Sequence, residues 1–484
     1  MFYKSYRGVK CCTLVHKNVK KRYFHILSAT LLCIMIVLSS CTPRPVGSGQ
    51  TSGNNQHSAN ENSTVNVSGR VLNVTSPRFE LSNGFIAPIN RQTEAPSGWI
   101  PIASAEDFDR IRLNPSADYI LMADINLADI SDYQTTLLQG GTVDGNGHTI
   151  TGVRWLDGGG PPIFQLQDAT IKNIAAVLNG GPLISTAERS QIINCNTSGS
   201  MSFFEGGRVI TEDEWNAYNN LAHQRATGTT ITRSPLALVI SDSIIRDCYN
   251  VATIEDRVGT FTRSVDFSGL VVGAGLSRIE NSFNQGSIHV TSTYEYGNVA
   301  IYGITKGGAE AIANSYNSGD LSVSGFSESS VNGVVGTIGT TVPGSIVNSF
   351  NSGNLSGGRV AGVGNRITGH NIYNAGNIHA TYSAFGIAEG IANQMIMTSY
   401  NIGQIAGTEI SLFGSIVDDR AQHVYFLDNI ETATPDGALF ATVKRLTEAQ
   451  MRDQSFFEGF DFDTVWEMGG TEFPFPVFQA IYSW

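Results

Sequence analysis

Two stretches of this chain hold residue types that could cleave a glycoside. Gly369-His370 offers an imidazole, and Asp418-Asp419-Arg420 offers two carboxylates beside a guanidinium. Glycoside hydrolysis needs two carboxyl groups converging on one bond, about 5–10 Å apart. Neighbouring residues on a strand point to opposite faces, so Asp418 and Asp419 do not reach one substrate together. Asp144 and His148 form a second acid–imidazole set, within Asp144-Gly145-Asn146-Gly147-His148, whose glycines and asparagine read first as a turn. The sequence holds no His-Glu-x-x-His, no phosphate-binding loop and no Gly-x-Ser-x-Gly. These residues predict no catalytic centre, no cofactor and no metal site.

Thiols are the other reactive groups. A basic region (Lys17, Lys20, Lys21, Arg22) precedes the apolar run Ile26–Leu38, which is too short to span a bilayer comfortably. It ends Leu38-Ser39-Ser40-Cys41 and so resembles a bacterial lipoprotein signal peptide. The resemblance implies cleavage before Cys41 and acylation of that thiol, an anchor in the membrane. Thr42 follows where an Asp would retain a Gram-negative lipoprotein at the inner membrane, so the outer membrane or cell surface is expected. Of six cysteines, three remain after processing: Cys41, Cys195 and Cys248. Cys195 and Cys248 each stand two residues before the same repeat position, Thr197 and Asn250. Adjacent coils would bring them within disulfide range; a disulfide and a pair of stacked free thiols both fit.

Removing residues 1–40 takes away seven cations and no acid, moving the formal net charge from −12 to −19. Such a surface repels nucleic acid, which is not an expected partner. Residues 41–96 are rich in Ser, Asn, Gly and Thr and read as a flexible tether, with a short alternating stretch near Val65–Val74.

The elements that must position any site come from a repeat. Ile279–Val290, I-E-N-S-F-N-Q-G-S-I-H-V, returns at Ile312–Val323 and Ile346–Gly357, with weaker copies around Asp247–Ile254, Tyr373–Ile378 and Tyr400–Ile405. Its turn asparagines, Asn284, Asn317, Asn351, Asn374 and Asn401, are 33, 34, 23 and 27 residues apart. Period-two alternation around an Asn-x-Gly turn, with a third apolar run such as Gly269–Gly275, predicts three short strands per coil. The fold class is all-β, a right-handed parallel β-helix over 97–445. A propeller blade needs four strands and a longer unit. Asn281, Asn314 and Asn348 are expected to form an amide ladder on the inward parity.

Short helices are expected after Ser104 and Thr447. The repeat is interrupted at about 201–240, where Thr211-Glu212-Asp213-Glu214 caps a helix carrying Trp215 and Tyr218. These two residue types are enriched at binding hot spots, and long insertions in repeat proteins often form the binding face. Packing of the helix on the coil is the other reading. Residues 446–484, dense in aromatics from Phe456 to Phe478, are expected to plug the last coil.

Tyr119–Leu127 (Y-I-L-M-A-D-I-N-L), Val143–Val153 (V-D-G-N-G-H-T-I-T-G-V) and the N-S-F/Y-N-x-G copies together resemble the GLUG-repeat family, bacterial surface β-helices whose repeats also accompany IgA-protease-type zinc metallopeptidases. The resemblance runs from Trp99 to the C-terminus. It implies a surface, adhesin-like module and brings no shared catalytic residues. Pectin-hydrolysing β-helices pair their acids with Gly-His and Arg-Ile-Lys; here the order is reversed and Arg-Ile-Lys is missing. The expectation is a non-enzymatic lipoprotein that binds glycan or a host or surface protein. A polysaccharide lyase or hydrolase, and a purely structural spacer, are the alternatives.

Cells given labelled palmitate should incorporate it into the wild-type chain and not into Cys41→Ser. Equal labelling of the two would refute the anchor.

Overall fold

The computed structural model describes residues 64–67, 70–73, 81, 83–153, 160–201, 231–258, 264–292, 298–325, 328–337, 345–414, 420–428 and 443–479. Every described residue belongs to the compact unit Asn60–Trp484.

That unit is a parallel β-helix. Thr64–Val67 and Arg70–Asn73 first form a small antiparallel pair. The coil is then walled by three parallel sheets, of 20, 7 and 11 strands among the described residues. Coils such as that of Arg278–Glu280 and Phe283–Asn284 cross the 20-stranded sheet with two short segments, which pair with Ala311–Ala313 and Tyr316–Asn317 of the next coil; from Ser345–Asn351 on, the two segments join in one strand. The 11-stranded sheet opens only with Ile231–Arg233 and Ile254–Val258. Its late entry explains the uneven repeat. Corner residues Asn173 and Asn194 are 21 apart, whereas Asp247 and Asn281 are 34 apart. Where Leu355–Ala361 runs unbroken in place of two strands and a loop, the step falls to 23.

A corner in left-handed backbone separates the two segments of the 20-stranded sheet. Asn146, Asn173, Asn194, Asp247, Asn281, Asn314, Asn348, Asn371, Thr398 and His423 occupy it with φ between 48° and 56°. Asparagine dominates because its short side chain tolerates this region and bonds nearby backbone. The expected ladder exists here, but its place differs from the inward parity. Asn281, Asn314 and Asn348 are half-buried; Asn314 Nδ2 donates to Asn281 Oδ1 and Asn348 Nδ2 to Asn314 Oδ1, each at 3.1 Å. Asn281 Nδ2 donates to the Asp247 carboxylate at 3.1 Å. A positive φ breaks the alternation: Ile279 lies in the main core, whereas Phe283 joins a second cluster.

The inward ladder is made instead by the turn asparagines. Asn250, Asn284, Asn317, Asn351, Asn374 and Asn401 are fully buried, and each Nδ2 donates to the next Oδ1 at 2.7–2.8 Å. Each Nδ2 also donates to a carbonyl two residues on, as Asn317 does to Gly319 at 2.9 Å. Thr197 Oγ1 starts the series by donating to Asn250 Oδ1 at 2.8 Å. The close backbone approach this requires falls on glycine. A Cβ on Gly303 would collide with the Gly333 carbonyl and stand 2.6 Å from Asn317 Cβ.

The second cluster is a stack of rings on the flank of the coil. Tyr249, Phe283, Tyr316, Phe350, Tyr373 and Tyr400 lie nearly parallel, with centroids 4.6–5.0 Å apart. This spacing is the interstrand distance imposed by the sheet. The C-terminal segment covers the later rings. Phe478 meets Tyr373 at 5.4 Å, Trp466 meets Tyr400 at 6.0 Å, and Phe457 meets Tyr425 at 5.1 Å. The segment is therefore a side cover, where the sequence predicts an end plug; it is fed by Val443–Leu446, which pairs with Val424–Leu427. The second expected helix, α2 (Glu448–Met451), carries a capping box from Thr447 and Gln450. The first, α1 (Ala105–Asp109), is capped by Ser104 and buries Phe108.

The N-terminal side has its own strap. Ala87 N donates to Asn194 Oδ1 at 2.9 Å, Gln92 N to Asn146 Oδ1 at 2.7 Å, and Tyr249 OH to the Gly84 carbonyl at 2.6 Å. Residues 84–92 thus belong to the folded flank, ahead of the boundary at 97 that composition indicates.

Asn317→Ala strands the Asn284 amide donor and the Asn351 and Gly319 acceptors in a buried column, so urea unfolding should show a loss of about 3 kcal/mol. Gly303→Ala should cost about 2 kcal/mol or more by overpacking. Wild-type midpoints for both variants would overturn the buried ladder as a stabilising element.

Candidate functional site

Cys41, Trp215, Tyr218, Asp418 and Asp419 lie outside the described residues. Gly369 is buried and His370 exposed on Ile367–Asn374, with His370 between Val347 and Met397 of the neighbouring coils. The Asp144–His148 set separates into two structural roles. Asp144 Oδ1 accepts from Asn146 N at 2.8 Å and from Asn173 Nδ2 at 3.0 Å, and Asp144 pairs with Lys172 at 3.1 Å. His148 Nδ1 instead lies 3.1 Å from Asp124 Oδ1. Asp124 is held below the usual carboxylate range, first by the Thr149 backbone N–H. Asp144 therefore serves a turn and the first corner ladder. Among the described residues, no group of three or more His, Cys, Asp or Glu side chains is arranged to hold a metal ion.

Cys195 and Cys248 are both fully buried, and no bond joins them in this structure. They belong to a column otherwise occupied by serine in the following coils. Cys195 N donates to Cys248 Sγ at 3.4 Å, Cys248 N to Ser282 Oγ at 3.1 Å, and Ser282 N to Ser315 Oγ at 3.2 Å. Burial pushes the Cys248 thiol well above its ordinary pKa.

The outer face of the 11-stranded sheet carries a regular polar column. Glu255, His289, Ser322, Ser356 and His379 are register partners on successive strands. His289 Nδ1 and Ser322 Oγ are 2.7 Å apart, and Ser324 Oγ donates to Thr291 Oγ1 at 3.3 Å in the adjoining column. Glu255, His289 and His379 are exposed, Ser322 and Ser356 half-buried, and Tyr382, three residues after His379 on the same strand, is 50% exposed. Hydroxyls, imidazoles and an exposed ring on a flat sheet can donate, accept and stack against a ligand.

One charged pair went unread in the sequence. Asp256 pairs in register with Val290, and Val290 with Val323, both buried in the core. An acid thus occupies a position the repeat gives to valine. Its Oδ2 lies 3.7 Å from Arg233 Nε, with side-chain exposures of 10% and 22%. Both residues sit on the first strands of the 11-stranded sheet. Aligning I-E-D-R-V against I-H-V-T-S and L-S-V-S would have exposed the substitution.

Burial pushes the Asp256 carboxyl up to about 6, against the pull of Arg233. With an unfolded value of 3.8, the folded chain holds this proton more tightly from about pH 4 to 6. This group's contribution to stability is present below that window and is lost as pH rises through about 6. Asp256→Asn should remove that dependence, worth about 2–3 kcal/mol at most, when unfolding is followed from pH 4 to 7.5. A variant with the wild-type slope would overturn the assignment.

No family model and no curated protein matches the chain. Among solved structures it is similar to a crystal structure described as a "putative immunoglobulin A1 protease" from Bacteroides ovatus, with 15% identity and a TM-score of 0.30, covering 78% of this chain and 91% of that one.

Proposed function

We propose that this protein is a lipid-anchored, non-enzymatic binding module of the bacterial cell envelope, which holds glycan or protein ligands on its solenoid. The observation that carries the reading is the exposed polar column from Glu255 to His379, with Tyr382 exposed on the same strand as His379. A β-helix offers such a face at fixed spacing without paying to order it on binding. Acylation of Cys41 after the lipoprotein-type leader supplies the anchor, and the net charge of −19 left once residues 1–40 are removed disfavours nucleic acid. The resemblance to GLUG-repeat surface proteins points the same way.

A screen of residues 60–484 against glycans and matrix proteins tests this, since that unit retains the strap at 84–92. His289→Ala with His379→Ala should lower affinity at least about tenfold, equal to about 1.4 kcal/mol, while the unfolding midpoint barely moves. Loss of binding in Trp215→Ala with Tyr218→Ala, and none in the histidine pair, would transfer the site to the excursion. Turnover of a pectin-type or glycosaminoglycan substrate would refute the non-enzymatic reading.

A further inference from the structure

We infer that Cys195 and Cys248 are joined by a disulfide formed while the chain folds, a staple between two stacked coils that lie 53 residues apart in sequence. Their column sets the geometry. Cys195, Cys248, Ser282 and Ser315 follow one another coil by coil, each backbone N–H directed at the next sulfur or hydroxyl. The two residues therefore belong to neighbouring coils, whose strands lie about 4.8 Å apart. That places the Cα atoms inside the roughly 4.4–6.8 Å range a disulfide spans. Cys195 Sγ donates to the Ile193 carbonyl at 3.3 Å and Cys248 Sγ to the Arg246 carbonyl at 3.2 Å. These are weak bonds, cheaply given up when the side chains turn toward each other.

The placement in sequence is the second observation. The two cysteines are 53 residues apart, whereas corner and ladder steps elsewhere are 21–34. They flank the one segment where the repeat is interrupted, so a bond between them closes the longest loop between stacked coils. A cross-link restrains the unfolded chain more as the loop it closes lengthens. Serine would serve the hydrogen-bonded column equally well, and it does so in the next two coils.

Timing follows from reactivity. Exchange needs a thiolate with access to a disulfide. In the folded chain both sulfurs are buried and the Cys248 thiolate is disfavoured. The bond must therefore form before the coils close. The reaction consumes one small-molecule or enzyme disulfide: its S–S bond breaks, it takes two electrons and the two thiol protons, it leaves as two thiols, and the Sγ–Sγ bond forms. Supply of that oxidant in the cell rests on the envelope location proposed above; the test does not.

The full chain, reduced and unfolded, is refolded in a mixture of reduced and oxidised glutathione, blocked with an alkylating reagent and mapped by mass spectrometry. The expected result is a cross-linked peptide pair containing Cys195 and Cys248, absent after reduction and absent in Cys195→Ser. Folded, reduced chain given the same mixture should stay reduced over the same period. Both thiols fully alkylated after refolding, or linkage of either to Cys11, Cys12, Cys33 or Cys41, would overturn the staple. Equally fast oxidation of the already folded chain would overturn its coupling to folding. Should Cys195→Ser fail to fold, Cys248→Ser provides the same control.

Discussion

Parallel hydrogen bonding fixes the rise of every coil, and nearly everything else in this protein follows from that spacing. Side chains at equivalent positions are held about 4.8 Å from their copies, close enough for amides to bond, hydroxyls to relay and rings to stack. A residue type that satisfies itself at this distance can be used in every coil. Asparagine does so twice, once at the half-buried corner and once in the interior. Phenylalanine and tyrosine do so on the flank.

The same spacing creates two hydrophobic regions. The interior cluster runs from Ile102 to Phe426, while the ring stack with Trp466, Phe473, Phe475 and Phe478 forms a separate one. A column of rings on an outer wall needs a cover, and this chain supplies it from its C-terminal segment, with the N-terminal strap bonded to the earlier coils. The cover docks through side chains: Trp466 Nε1 donates to Asn371 Oδ1 at 3.3 Å, Tyr425 OH to the Glu458 carbonyl at 2.9 Å, and Tyr400 OH to the Pro476 carbonyl. Asn371 thereby ties the cover to the corner ladder, since its Nδ2 donates to Asn348.

The solenoid was legible because the repeat writes the same residues at the same strand positions. What the sequence misplaced turns on one dihedral angle. Treating Ile279 to Phe283 as a single alternating strand puts Asn281 and Phe283 on the inward side; left-handed backbone at Asn281 reverses the facing after it. Alternation carries no mark of such a reversal, although the recurrence of asparagine there is its trace. The aromatic tail could be recognised as a cover but not assigned to a side, because the surface it meets exists only once the coils stack. The pairing of Asp256 with Arg233 is similar: each is ordinary in sequence, and only register shows an acid where neighbouring coils place valine.

The two amide ladders run in opposite directions. Corner amides donate toward the N-terminus and end on carboxylates, Asp247 in one series and Asp144 in the other. Interior amides donate toward the C-terminus and begin from the Thr197 hydroxyl. A middle coil thus presents one donor and one acceptor to each neighbour and is interchangeable with its copies, whereas a terminal coil is chemically distinct. Such a molecule can lengthen over evolutionary time by duplicating whole units from its centre, leaving the start and stop residues untouched. The twelve-residue blocks beginning at Ile279, Ile312 and Ile346 agree pairwise at six to eight positions, a likeness that growth of that kind would leave behind.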